Sequence, residues 1–142
     1  MIAVDTNILI YAHRGETGLH EAAVSRLTAL AEGVATWALP VFCITEFMRV
    51  VTHPRVFKPP STVEEAGLFI ERVAAAPSCD LLRPGPEFLE HLLAAARQSN
   101  ASGNLMFDAQ IAALCREHGI DAILTNDRDF ARFEPLRMVP FE

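Results

Sequence analysis

IAVDTNILIYA, residues 2–12, begins with three apolar residues and then breaks on Asp5. A continuous apolar run, unlike an alternating one, suits a strand buried on both faces, which is the position of a strand inside a parallel sheet. The same pattern returns near the other end of the chain in AILTND, residues 122–127, where Ala122, Ile123 and Leu124 give way to Thr125, Asn126 and Asp127. Two buried strands that each end in an aspartate set the frame for everything between them.

Between these strands the periodicity changes to that of helices. Leu19, Ala22, Ala23, Leu27, Leu30 and Ala31 recur at helical spacing, so a helix is expected from Leu19 to Glu32, with Gly33 as its stop. Ala35 to Leu39 is a second short apolar run, and from Pro40 the segment PVFCITEFMRVV reads as a helix with proline in its first turn, ended by Thr52, His53 and Pro54. The proline-rich stretch from His53 to Ser61 is expected to be a loop. Ser61 with Glu64 and Thr62 with Glu65 are overlapping capping boxes that open a helix to about Ala76. Leu81 and Leu82 suggest a strand, Phe88 to Arg97 a helix with Phe88, Leu92 and Leu93 facing the core, and Ser99 to Asn104 a loop. A helix from Leu105 to His118 stops at Gly119, and a last short strand covers Leu136 to Val139. Strands and helices in alternation predict an α/β fold whose parallel sheet is covered on both faces.

Composition narrows the function classes. With 142 residues, 51% of them hydrophobic and 21% charged, residues 1–142 are expected to form one domain that holds its core without disulfides or a structural metal. The net charge of −6 is the reverse of a generic nucleic-acid coat. No secretory leader is readable, the longest apolar run, from Val34 to Ile44, is far too short for a membrane span, and Cys43, Cys79 and Cys115 lie apart among apolar neighbours. These features lead us to expect reduced thiols in a cytoplasmic protein. The five histidines, His13, His20, His53, His91 and His118, lack zinc-site spacing, and no nucleophile elbow or glycine-rich phosphate loop is present.

Four carboxylates occupy positions that the apolar pattern would otherwise give to the core or its rim. Asp5 and Asp127 follow strands, and open parallel sheets bind ligands at the carboxyl ends of their strands. Asp108 shares a helical stripe with Ile111, Ala112 and Cys115, and Glu46 shares a face with Phe42, Cys43 and Val50. Each has an ordinary use as well: Asp5 as cap of a helix starting at Thr6 or Asn7, Asp127 as a turn residue, Asp108 at a helix N-terminus, Glu46 as a solvated side chain. Taken together they are costly unless protons or cations accompany them, and basic residues are scarce: Lys58 is the only lysine, and Arg49 and Arg128 are the nearest arginines in sequence. Hard oxygen donors of this kind suit Mg²⁺ or Mn²⁺, which can activate water and neutralise charge on a phosphodiester.

The opening IAVDTNILIYA, TEF around Glu46, FDAQIAA around Asp108 and ILTNDRDF around Asp127 resemble, in this order from Ile2 to about Phe130, the PIN-domain ribonucleases and within them the VapC toxins of toxin–antitoxin pairs. The resemblance implies a three-layer α/β/α sandwich with a mainly parallel sheet. It also implies an endoribonuclease dependent on Mg²⁺ or Mn²⁺, with Asp5, Glu46, Asp108 and Asp127 as catalytic and metal-binding residues and Asp129 as a supporting or alternative ligand. Thr6, Asn7, Thr125 and Asn126 match the family's polar supports. RNA as substrate, a VapB-type antitoxin and a homodimer are implied as partners. We expect Arg49, Arg55 and Lys58, beside His53, to contact RNA phosphates, because this is the densest basic stretch of an acidic chain. The alternatives are a PIN-domain nuclease of RNA processing, a binding module that keeps the fold without catalysis, and an enzyme that uses Asp5 as a phosphoacceptor.

Overall fold

The computed structural model describes residues 1–141. Five strands, β1 (Ile2–Val4), β2 (Trp37–Pro40), β3 (Cys79–Leu82), β4 (Ala122–Leu124) and β5 (Arg137–Val139), form one sheet in the order β3-β2-β1-β4-β5, and every pairing is parallel. The connections are α1 (Thr6–His13) and α2 (His20–Glu32), then α3 (Val41–Val51) and α4 (Val63–Ala74), then α5 (Phe88–Ser99) and α6 (Leu105–Glu117), with a short 3₁₀ turn at Arg128–Arg132 before β5. From β1 the chain moves outward to β2 and β3, then crosses back over the sheet to β4. Right-handed crossovers therefore put α1 to α4 on one face and α5 with α6 on the other. The packing agrees, since α1 lies on α2 and α3, α3 on α4, and α5 on α6. This is the three-layer sandwich.

The order in which the chain adds strands reverses between β1 and β4, and such a switch point opens a crevice at the carboxyl ends of the two strands. Ile2, Ala3 and Val4 pair with Ala122, Ile123 and Leu124. The next residues, Asp5 and Thr125, thus meet across the crevice, with the Asp5 amide donating to the Leu124 carbonyl at 3.1 Å.

The core is built from the apolar runs that mark the strands in the sequence: Ala3, Val4, Ala38, Leu39, Ile123 and Leu124 are fully buried, with Trp37, Phe47, Phe130 and Phe133 the largest side chains among them. The Trp37 indole N–H is satisfied by the Ser78 hydroxyl at 3.0 Å, which removes the cost of burying it. Cys43 and Cys115 are buried thiols and Cys79 is half-buried; all three are free.

Several boundaries differ from the sequence expectation for local reasons. Pro40 is the last residue of β2 as well as the residue before α3, because a proline without an N–H can still accept in the ladder while fixing the entry to a helix. Of the two capping boxes only Thr62 with Glu65 forms. Ser61 turns inward to the His13 ring and the Arg14 guanidinium. The strand expected at Leu81 and Leu82 begins earlier, at Cys79. Leu93, placed in the core by its spacing, is 43% exposed, while Phe88 and Leu92 pack against the core. Gly119 ends α6 with φ +69°, and the following Ile120 amide reaches back to the Cys115 carbonyl at 2.8 Å, a left-handed closure that feeds the chain into β4. Among the described residues no helix is long and apolar enough to cross a membrane.

Candidate active site

Asp5 is 4% exposed and does two jobs at once. One oxygen accepts the Thr6 amide at 2.7 Å, so the capping expectation holds; the other accepts the Thr125 hydroxyl at 2.7 Å across the switch point. The Thr125 hydroxyl in turn accepts the Asp127 amide at 2.9 Å, so one side chain ties the end of β1 to the turn after β4. Asp127 Oδ1 accepts the Asp129 amide at 2.9 Å and starts the 3₁₀ turn. The turn role and a role in the cleft are thus compatible for Asp127, because its second oxygen is not used by the turn.

Glu46 and Asp108 arrive from helices on opposite faces of the sheet. Glu46 sits in the middle of α3 and accepts the Thr6 hydroxyl at 2.9 Å, which makes Thr6 a positioning residue for it. Asp108 lies in the first turn of α6. One oxygen from each of Asp108, Asp127 and Asp129 lies within 4.8 Å of the others. A cleft of about 520 Å³ is lined by Glu46, Arg49, Asn104, Leu105, Phe107, Asp108, Asp127 and Asp129. Asn7 makes long contacts at 3.5 Å to Thr125 and to the Asn126 amide, bracing the base of the crevice.

The electrostatics of this arrangement are unfavourable by design of the fold. Burial pushes Asp5 up to about 6, against the Thr125 and Thr6 hydrogen bonds that favour its ionised form, with the nearby charges of Glu46 and Asp127 adding to the rise. Asp108 is pushed up to about 7, first by desolvation and then by Asp127, Asp5, Glu46 and Asp129. Among the described residues no lysine, arginine or histidine forms an ion pair with Asp5, Glu46, Asp108 or Asp127; only Asp129 has one, with Arg132 at 3.5 Å. A cluster of carboxylate oxygens without internal cations, opening on solvent, is the donor chemistry that a hard divalent ion fits.

The five acidic residues singled out in the sequence therefore meet around one crevice. The close triad of oxygens is Asp108, Asp127 and Asp129; Glu46 lines the same cleft, and the buried Asp5 lies within electrostatic reach of Asp108. Arg49 lines the cleft, and Arg55 and Lys58 are exposed on the loop after α3 without lining it. A phosphoacceptor role does not suit Asp5, whose oxygens are buried and both engaged. Sequence reasoning missed Asn104, Leu105 and Phe107 as walls of the cleft, since they precede or interrupt the regular stripe of α6.

Comparison with known proteins agrees with this geometry. The PIN domain family matches residues 2–135. Ribonuclease VapC43 of Mycobacterium tuberculosis is 36% identical over 137 residues, covering 96% of this chain and 92% of that protein. Ribonuclease VapC31 of the same organism is 34% identical over 139 residues, covering 98% and 97%. Among solved structures, Rickettsia felis VapBC2 bound to a DNA fragment from its promoter superposes with a TM-score of 0.69 at 19% identity, covering 99% of this chain and 98% of that one. Mycobacterium tuberculosis VapC20, a toxin that cleaves the sarcin-ricin loop, gives a TM-score of 0.65 at 16% identity, covering 92% and 93%.

Proposed function

From the premise that this chain belongs to the PIN-domain family, among the VapC ribonucleases, we propose that it is the endoribonuclease toxin of a VapBC-type pair. The observation that carries the proposal is the convergence of Asp5, Glu46, Asp108, Asp127 and Asp129 on the switch-point crevice without an internal cation to neutralise the inner four. An acid-lined crevice repels RNA unless divalent cations offset its charge, so substrate binding and metal binding belong together here.

Asp108 and Asp127, with Asp129 and Glu46 on the same cleft and the buried Asp5 close by, would hold Mg²⁺ or Mn²⁺. When bound, such an ion supplies activation of water and neutralisation of the charge that builds on a phosphodiester during in-line attack. The chain's own residues set the geometry for this. Thr125 holds Asp5 and the Asp127 backbone in one register, Thr6 fixes the Glu46 carboxylate, and Asn7 and Asn126 brace the loop between them. Arg49, on the wall of the cleft, meets the phosphate entering it; Arg55 and Lys58 extend the basic path along the loop that follows α3. The protein acts in the cytoplasm as a homodimer, and a VapB-type antitoxin restrains it.

The test is cleavage of total cellular RNA by the purified chain, free of antitoxin, in Mg²⁺ or Mn²⁺. Chelator and Asp108→Asn serve as controls. Discrete fragments that need the metal and vanish in the variant are expected. Folded, antitoxin-free protein that cuts no RNA at any metal concentration would defeat the proposal and favour a binding module.

A further inference from the structure

Next to the carboxylate cleft, α3 and α6 enclose a second groove of about 230 Å³, lined by Phe42, Thr45, Glu46, Arg49, Phe107 and Gln110. The α3 residues fall at i, i+3, i+4 and i+7, one face of the helix, and Phe107 and Gln110 form the facing edge of α6. Glu46, Arg49 and Phe107 line both spaces, so the groove is a side chamber of the active site and not a separate feature.

Phe107 is out of place for an aromatic. Every other phenylalanine, Tyr11 and Trp37 are buried or half-buried in the described structure, whereas Phe107 is 53% exposed and does not pack against the core. It immediately precedes Asp108. A half-exposed ring adds little to stability, and its place on the wall of the carboxylate cleft, across the groove from Phe42, suits a ligand with a π-face. The other walls carry unspent polar groups: among the described residues the side chains of Thr45, Arg49 and Gln110 make no hydrogen bond within the protein.

We propose that this groove is a nucleobase subsite, in which an unpaired base of the RNA strand stacks on Phe107 while its phosphodiester lies in the carboxylate cleft. The proposal rests on the ribonuclease reading above. Stacking of a base on an aromatic ring is how proteins hold single-stranded RNA, since unpaired bases expose both their faces and their hydrogen-bonding edges. Gln110 and Thr45 offer donors and acceptors to such an edge, and Arg49 stands between the base and the acidic centre, where the linking phosphate passes. A base suits the groove better than a second copy of the chain, because the groove runs into the cleft through three shared residues and holds room for one planar group.

The probe is an unstructured oligoribonucleotide with 2-aminopurine placed at each position in turn, mixed in Mg²⁺ with the protein and read by stopped flow before it is cut. Quenching at one position is expected. It should be lost, with affinity about 10-fold weaker, when Phe107→Ala or Phe107→Leu is added, and kept with Phe107→Trp. In the active protein Phe107→Ala should raise KM for RNA about 10-fold and leave kcat within about twofold, with the metal-induced rise in Tm unchanged. Quenching that survives Phe107→Ala would overturn the proposal. So would Phe107→Leu behaving as the parent, which would mean apolar packing without stacking. Loss of an oligomer in sedimentation of Phe107→Ala would overturn it too, by making the groove a contact between copies. If wild-type protein cuts no RNA, the ribonuclease reading fails, while the quenching comparison still decides the subsite.

Discussion

Asp108→Asn should stabilise the metal-free protein while abolishing cleavage, and the size of the effect follows from the crevice. A carboxyl raised from 3.8 to about 7 on folding binds its proton more readily in the folded state. Folding is therefore favoured as pH falls, and the cost of ionising Asp108 is complete above about pH 7. That shift corresponds to about 4 kcal/mol if taken whole. Asp108 is only half-buried, however, and solvent screens its four acidic neighbours, so about 1–2 kcal/mol is the reasonable share. Asparagine keeps the shape and removes the charge, and Asp108 makes no hydrogen bond within the described structure that the amide would break. Thermal unfolding in chelator at pH 8 should show Asp108→Asn higher in Tm by roughly 3–6 °C, a gap that closes as pH falls toward about 4. A variant less stable than wild type at pH 8, or a gap that does not change with pH, would refute the account of a crevice strained by like charge.

Adding Mn²⁺ or Mg²⁺ should raise the Tm of wild type, by about 2.7 kcal/mol of stabilisation at a metal concentration 100 times Kd, and should do much less for Asp108→Asn; differential scanning fluorimetry with chelator reversal reads both. Thr125→Val removes the hydroxyl that serves Asp5 and the Asp127 amide, so urea unfolding should show a loss of about 1–3 kcal/mol together with lower kcat. Ser78→Ala leaves the buried Trp37 N–H without its acceptor at the amino end of β2, far from the crevice; a similar loss of stability with unchanged kcat/KM is expected. Arg49→Gln should weaken RNA binding and lower the slope of log K against log salt by about 0.7 for single-stranded RNA, measured by fluorescence anisotropy.

How far the sequence could be read depended on whether a feature was local. Ile2–Val4 and Ala122–Leu124 are strands because unbroken apolar triplets have no half-exposed alternative, and their parallel pairing follows once helices separate them. Helix limits that rest on caps were also legible, as with Gly119 and the Thr62–Glu65 box. What failed was choice among equals: nothing in the sequence says that Ser61 would leave its capping box for His13 and Arg14, since that partner lies 47 or 48 residues away. Leu93 misled for a related reason. Its spacing fits the stripe of α5, but exposure depends on how far α6 covers that stripe, which is a matter of tertiary packing.

At the site, residue identity was legible and division of labour was not. The sequence marks Asp5 and Asp127 as strand-end acids, and each also has a local job, capping α1 or starting the 3₁₀ turn. Local and functional roles look like rivals in a sequence, because one residue type is explained by either. The structure removes the rivalry: a carboxylate has two oxygens, and at Asp127 the turn uses only Oδ1. Thr125 shows the same economy from the other side. Its hydroxyl donates to Asp5 and accepts from the Asp127 amide, and by doing both it converts the β1–β4 register into a fixed distance between two acids that repel each other. The fold thus meets the cost of assembling like charges with hydrogen bonds that its secondary structure makes anyway, and it is this coupling, rather than any single acid, that a one-dimensional pattern has no way to display.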